Sequence, residues 1–536
     1  MMKRLVALAV AGFLHSPVSA APPKLIVVIS VDQLSADLFD QYRGQFTGGL
    51  ARLSSGTVFR NGFQSHAASE TCPGHSTILT GDRPARTGII ANAWVDQSIA
   101  RADKNVYCAE DERVAGSSSS KYTVSAVHLK VPTLGEYMKR QWPASRNVAV
   151  AGKDRSAVMM GGHNADQIWY WSGKGFAAGI AGVAAPASIA ATNAAIAQAL
   201  SSARPALEPA PFCAAKALPI TIPEHSAVGN GAFARAAGDA AAFRSSPEFD
   251  GATLALSAAL AHEMKLGQGR TPDILSIGLA ATDYVGHYFG SGGQEMCLQL
   301  MSLDRDLGDF LAVLDAGGAD YAVALTADHG GEDVPERLKA NGDAAAQRVD
   351  PELSAAAIGK KVGALLNLSG AILRGDVNGD VYLDSELSQP DRARALKAAV
   401  EAYRAHPQVA AVFTKDELGL TAIPASTPDR WSLIERARAS FDPKRSGDLY
   451  VILREGVTPI GHATGAVATH GSPWDYDRRV PILFWRKGGA PAQREEAVET
   501  IDIMPTLAAM IGVPLAAGAI DGKCLSNIST VACPTR

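Results

Sequence analysis

Three aspartates and three histidines stand beside apolar runs, and they are residue types that bind transition metals. Asp32 follows LIVVISV, Asp283 and His287 follow DILSIGLAAT, and Asp328 and His329 follow YAVALTA within TADHGG. His470 lies in ATHGSPWDYD, just ahead of VPILFW. Carboxylate oxygen and neutral imidazole nitrogen suit zinc, which they bind at about 2.0 to 2.2 Å, and six such ligands can hold two ions. Taken singly, each Asp reads as a turn or helix cap and each His as a surface or satisfied core residue. Their shared placement at strand ends favours metal binding, because ligands of open α/β sheets collect at the carboxyl ends of the strands. A nucleophile candidate sits in SETCPGHSTILTGDRP, where Thr71 precedes Pro73 at the expected first turn of a helix. Free backbone donors and the positive end of the helix dipole favour an anionic phosphoryl group there. A threonine hydroxyl is a weak nucleophile near neutral pH and needs a metal to stabilise its alkoxide. Without the metal ligands, Thr71 would read as an ordinary N-cap.

The elements that must position these residues follow from hydrophobic pattern. LIVVISV (25–31), NVAVAG (147–152), DILSIGL (273–279), YAVALTA (321–327) and VPILFW (480–485) read as buried parallel strands. Leu256, Leu260 and Met264 recur at helical spacing before Gly267, and Met296, Leu300, Leu303, Leu307, Phe310 and Leu314 form a longer stripe. Strands alternating with helices predict an α/β fold, a three-layer sandwich around a mostly parallel central sheet. Two stretches break the rhythm, an Ala- and Pro-rich one at about 162–250 and another at about 336–460, and both read as insertions over the active-site face. GDVNGDVYLD (375–384) has the acidic spacing of a calcium loop without its glycine, so a hairpin turn at Asn378-Gly379 is expected. No internal repeat is found.

Lys3 and Arg4 precede the apolar run Leu5 to Leu14, and Val18-Ser19-Ala20 supplies a signal-peptidase site, so residues 1–20 read as a signal peptide and 21–536 as the catalytic domain. The run is about ten residues, short of the roughly 20 that span a bilayer, and no membrane anchor is expected after cleavage. A periplasmic or secreted protein follows. Losing Lys3 and Arg4 takes the 50 basic residues to 48 against 54 acidic ones, leaving the chain near −6 without a basic block. That excludes nucleic acid held by charge. Six exported cysteines permit disulfides in any of 15 connectivities. The expected pairs are Cys524 with Cys533, Cys72 with Cys108 and Cys213 with Cys297.

The order VDQL, ETCPGHSTILTG, AGKDR, ATDYVGH, TADHGG and THGSPWDYD resembles the alkaline phosphatase superfamily, and within it the PafA-type bacterial enzymes with a threonine nucleophile. The matching segments lie within roughly 24–160, 270–335 and 460–515. The resemblance implies an alkaline phosphatase-like fold with one zinc on Asp283, His287 and His470, and a second on Asp32, Asp328 and His329 beside Thr71. It implies a small-molecule phosphate monoester bridging the two Zn2+, attack by Thr71, and hydrolysis of a phosphothreonine. Lys153 and Arg155 resemble the pair that contacts phosphate oxygens in the monoesterase branch, and Asn92 in IIANAW a further contact. Asp154 is expected to point away from the phosphate, and His462 to lie on the surface. A phosphodiesterase or nucleotide pyrophosphatase keeps Thr71 and both metal sites, and Lys153 and Arg155 separate it from a monoesterase. A sulfatase is disfavoured because Cys72 is followed at once by Pro73, Gly74 and His75. A non-catalytic metal-binding protein would lack the nucleophile or a ligand, and none is missing.

Overall fold

The computed structural model describes residues 21–526, 528 and 533. The expected signal peptide lies outside them. A central sheet contains β1 (Leu25–Val31), β2 (Thr57–Phe63), β3 (Asn147–Ala151), β4 (Gln167–Trp171), β5 (Phe176–Ala178), β6 (Asp273–Leu279), β7 (Tyr321–Thr326), β8 (Arg479–Arg486) and β9 (Ala492–Arg494), with β10 (Val498–Glu499) on one side of β2. Its order is β9-β2-β8-β7-β1-β6-β3-β4-β5. The strands β7, β1, β6, β3 and β4 run parallel. Successive side chains of a strand point to opposite faces. Leu25, Val27, Ile29 and Val31 enter one core while Ile26 and Val28 enter another, which is why the run is apolar without alternation.

The first core is closed by helices. The stripe predicted at Met296 to Leu314 lies on Gln294–Ala316, and Leu256 and Leu260 lie on Pro247–Glu263. The second core is closed by Ile78 and Leu79 of the helix Thr71–Thr80 and by Met504, Leu507 and Ile511 of Ile503–Ile511. Helices on both faces of the sheet make the three layers. The three disulfides join Cys72 to Cys108, Cys213 to Cys297 and Cys524 to Cys533, the expected pairs. Among the described residues no helix is long and apolar enough to cross a membrane.

Two expectations are corrected. VPILFW was expected to be parallel, yet β8 pairs antiparallel with both β7 and β2. A strand buried on both faces carries the same apolar run in either direction, so composition does not encode its sense. Its partner β2 has no counterpart among the expected strands, because Arg60 and Asn61 interrupt TVFRNGF where the strand is half-exposed. The stretch 162–250 was expected to be an insertion over the active-site face, yet it supplies β4 and β5 of the central sheet. The aromatic run QIWYW forms a strand inside a segment whose Ala and Pro content masks it.

Residues 373–453 contain a second, four-stranded sheet of Leu373–Gly375, Gly379–Leu383, Leu449–Leu453 and Val409–Thr414. The helices Ala355–Leu366 and Gln389–Arg404 pack against its own core of Val381, Leu383, Tyr403 and Val451. Its first two strands are antiparallel, and Gly379 at the turn has φ of 88°, a conformation that favours glycine. The preceding Asn378 donates from Nδ2 to the Gly471 carbonyl at 3.2 Å, so the hairpin tip touches the His470 loop.

Candidate metal and phosphate site

Parallel pairing puts the carboxyl ends of β7, β1, β6 and β3 side by side, and each ends in a polar residue of the site. Asp32 follows β1, with its N–H bonded to the Leu279 carbonyl of β6 at 2.9 Å. Asp283 and His287 sit one turn apart on the helix Ala281–Phe289 that follows β6. Buried Asp250 fixes the start of that helix by accepting from the Ala281 N–H at 2.9 Å, and Gln299 donates to its other oxygen at 2.9 Å. Asp328 and His329 follow β7, and Lys153 follows β3. His470 arrives from the opposite direction, in the loop before β8. That loop is clamped to the His329 loop, since Ser472 N–H donates to Asp477 Oδ2 at 2.8 Å and Gly330 N–H to the Asp477 carbonyl at 2.6 Å. Thr71 is the first residue of its helix, after a Glu70 N-cap whose side chain makes no capping bond. Gly74 lets this helix approach, because a Cβ there would lie 2.0 Å from the Asp328 carbonyl oxygen.

The donor atoms converge. Donors of Asp283, His287 and His470 lie within 4.8 Å of one another, as do those of Asp32, Asp283 and His329. Asp328, expected beside Asp32 and His329, has Oδ2 3.3 Å from His329 Nε2, while Asp283 joins both groups. Each imidazole is oriented by a backbone carbonyl: His287 Nδ1 by Ala468 at 2.9 Å, His329 Nδ1 by Gly330 at 2.8 Å and His470 Nδ1 by Ser69 at 2.8 Å. A carbonyl only accepts, so Nδ1 carries the proton and Nε2 keeps its lone pair, as in metal-ligating histidines. Asp32 Oδ1, Asp283 Oδ1, Asp328 Oδ2 and His329 Nε2 are buried without a hydrogen-bond partner among the described residues. Orphaned carboxylate oxygens facing imidazole lone pairs are the donor set that a divalent metal satisfies.

Charge in this cluster is tightly balanced. Lys153, 4% exposed, places Nζ 2.7 Å from Asp32 Oδ2 and 2.6 Å from Asp283 Oδ2. Burial pushes the Asp32 carboxyl well above its ordinary range, and Asp328 adds to this. Against the same burial, His287 and Lys153 hold Asp283 well below that range. Burial also lowers His329 to about 3, so it is neutral and able to ligate.

The phosphate-side residues also meet. Thr71 Oγ1 accepts from Lys153 Nζ at 3.3 Å and from Arg155 Nη2 at 3.4 Å. Asn92 Oδ1 accepts from the Cys72 N–H at 2.8 Å, and Asn92 N–H donates to Glu70 Oε2 at 2.6 Å. This holds Asn92 beside Thr71 through its carbonyl oxygen, and its amide NH2 is not used in that bond. Asp154 turns away to the Tyr107 and Tyr122 hydroxyls, each at 2.8 Å. His462 is exposed and pairs with Glu224.

Sequence reasoning missed several contributors. His75 Nδ1 lies 2.9 Å from the Thr71 carbonyl and 3.1 Å from Asp328 Oδ2, joining Thr71 to the Asp and His cluster. Its position four residues after Thr71, on the same helical face, was a readable signal. Tyr107, Tyr122 and Asp250 belong to no local pattern. Beside the site, Glu70, Asn105, Asp376, Asn378, Asp380 and Gly471 line a cavity of about 540 Å³ between the segment around Trp94 and the Leu373–Leu383 hairpin.

The profile of the type I phosphodiesterase / nucleotide pyrophosphatase family matches residues 26–473, and the chain belongs to that family. It is similar to alkaline phosphatase PhoK of a Sphingomonas species, 52% identical over 517 residues, which cover 96% of this chain and 92% of the relative. Alkaline phosphatase PhoD of Zymomonas mobilis is 46% identical over 529 residues, covering 97% and 91%. The crystal structure of alkaline phosphatase PafA superimposes with a TM-score of 0.83 at 24% identity, covering 95% of this chain and 99% of that one, and shares its fold.

Lys153 is the only cation bonded to both Asp32 and Asp283 among the described residues. Lys153→Ala should therefore destabilise metal-depleted protein by on the order of 3 kcal/mol, the cost of breaking a buried pair. Zinc-loaded protein should lose much less, because bound metal supplies the compensating charge. Calorimetric melting of both forms tests this, and equal losses would contradict it.

Proposed function

We propose that this protein is an exported, metal-dependent alkaline phosphatase that hydrolyses small phosphate monoesters through a phosphothreonine on Thr71. The observation that carries the reading is the convergence of Lys153 and Arg155 on Thr71 Oγ1, at the edge of an Asp and His cluster with unsatisfied donors. Two relatives similar over nearly their whole length are themselves alkaline phosphatases, which supports it. Asp283, His287 and His470 would hold one zinc, and Asp32, Asp328 and His329 the second, with Asp283 between them. When bound, such a pair neutralises phosphoryl charge and lowers the pKa of hydroxyl and water ligands.

The chain's own residues do the rest. The first turn of the Thr71–Thr80 helix offers backbone donors and a positive dipole end to the phosphoryl oxygens. Lys153, Arg155 and the Asn92 amide meet the charge that a monoester has in excess of a diester. Thr71 Oγ1 loses its proton and bonds to phosphorus as the ester P–O bond breaks in line with it, the departing alkoxide takes up a proton to leave as the alcohol, and water then cleaves the Thr71 phosphoester, restoring the hydroxyl and releasing inorganic phosphate. The cavity beside Glu70 and Gly471 gives room to the leaving alcohol. Three disulfides fit the periplasmic or extracellular compartment that residues 1–20 imply.

A phosphodiesterase is the second reading, favoured by the family that matches residues 26–473. Lys153→Ala and Arg155→Ala decide between them. Each should lower kcat/KM for p-nitrophenyl phosphate by roughly ten- to a hundredfold, the loss of a charge-assisted hydrogen bond, and affect methyl p-nitrophenyl phosphate much less. Equal losses on both substrates would restore the diesterase reading.

Thr71→Ala should abolish phosphoenzyme and lower turnover by orders of magnitude while metal content stays near that of the parent. Acid-quench labelling with radioactive phosphate checks this, and label on another residue would contradict it. Exhaustive chelation should abolish turnover, with zinc restoring it better than magnesium because the donors are not an all-oxygen cage. Activity persisting in protein shown by elemental analysis to lack metal would overturn the metal assignment.

A further inference from the structure

We propose that Tyr107, Asp154 and Tyr122 form a positioning triad that presents one edge of the Arg155 guanidinium to the phosphoryl oxygens, and so helps set the preference for monoesters. The inference rests on the monoesterase reading.

The two tyrosine hydroxyls donate to the two oxygens of Asp154, Tyr107 to Oδ1 and Tyr122 to Oδ2, each at 2.8 Å. Their rings lie 4.7 Å apart between centroids, which holds the pair together. A tyrosine hydroxyl has one proton. Since Asp154 takes that of Tyr107, its oxygen is an acceptor for Arg155, whose Nη1 lies 3.3 Å away. Nη2 faces Thr71 Oγ1 at 3.4 Å, and Nε is buried with no hydrogen-bond partner among the described residues. One amino group is thus pinned, and on the adjacent edge Nη2 faces Thr71 while Nε is left without a partner among the described residues. Two adjacent N–H groups match two oxygens of one phosphoryl group.

The relay through a hydroxyl matters chemically. Asp154 also accepts from the Arg155 backbone N–H at 2.7 Å, so its carboxylate stays beside this residue. A carboxylate bound directly to the side-chain fork would compete with phosphate for it. Interposing Tyr107 keeps the Asp154 charge nearby while no carboxylate binds Nε or Nη2 among the described residues. Tyr107 cannot drift from Thr71, because neighbouring Cys108 is disulfide-bonded to Cys72 and its N–H donates to the Asn92 carbonyl at 2.9 Å. One short segment therefore positions Asn92 and Arg155 against the nucleophile.

The test is a double-mutant cycle of Tyr107→Phe and Arg155→Ala in the zinc-loaded full chain, with p-nitrophenyl phosphate and methyl p-nitrophenyl phosphate as probes. Tyr107→Phe keeps the ring and removes the acceptor. We expect kcat/KM for the monoester to fall about five- to tenfold and for the diester by no more than about twofold, as for one misaligned charge-assisted bond. With Arg155→Ala already present, Tyr107→Phe should change monoester turnover by less than about twofold. Tyr122→Phe, one hydrogen bond further out, should show the same selectivity with a smaller loss, and serves alone should Tyr107→Phe fail to fold. A loss equal on both substrates, or one that persists without Arg155, would make these residues general scaffold and overturn the proposal. A failure of Arg155→Ala itself to discriminate the substrates would instead remove the monoesterase reading.

Discussion

Three carboxylates, Asp32, Asp283 and Asp328, are held almost wholly out of water in one small cluster, and the rest of the site answers that concentration of negative charge. Isolated buried carboxylates are expensive and would take up protons instead. Lys153 bridges two of them, His75 reaches the third, and three imidazoles with their proton fixed on Nδ1 aim lone pairs into the same space. Divalent cations would complete the balance and turn a net negative cluster into one that accepts a phosphate dianion. Thr71 lies where the acidic cluster meets the cations Lys153 and Arg155, the place the proposed nucleophile needs.

Only a rigid frame can hold like charges together, and the central sheet supplies it. Strands buried on both faces between two helical layers fix the relative height of β7, β1, β6 and β3, and thereby the spacing of the groups at their ends. The remaining groups come from outside this frame and are tied to it by specific bonds. The His470 loop is clamped by Asp477 to the His329 loop. The nucleophile helix is drawn against Asp328 at Gly74 and linked by Cys72 to the segment carrying Tyr107. The hairpin of the second sheet reaches back to Gly471 and walls the cavity beside the site. The metal cluster and nucleophile alone suit either ester class. In the proposed reading, a preference for monoesters would depend on groups set around them, Asn92, Lys153 and Arg155.

Much of this was legible because its signals are local. Strands that are apolar on both faces announce themselves as continuous runs, so Asp32, Asp283, Asp328 and His329 could be read as strand-end residues. Thr71 could be placed on a helix start from Pro73, and the hairpin at Asn378-Gly379 from its turn residues. Signals that depend on an unbroken pattern failed where the pattern broke: Arg60 hid β2, and Ala and Pro around QIWYW hid β4.

The sequence by itself determined which residues could act, since ligand type, nucleophile and strand-end placement are properties of residues and their immediate neighbours. The residues left 15 cysteine connectivities open, and proximity in the fold selected the three pairs, which match those expected. The tertiary structure alone decided the direction of β8, the sharing of Asp283 between two donor groups, and the bonding of Lys153 to both Asp32 and Asp283. It alone joined Tyr107 and Tyr122 to Asp154 and Arg155. These are relations between segments far apart in the chain, and a hydrogen bond or a shared ligand has no signature in either segment until packing brings the two together.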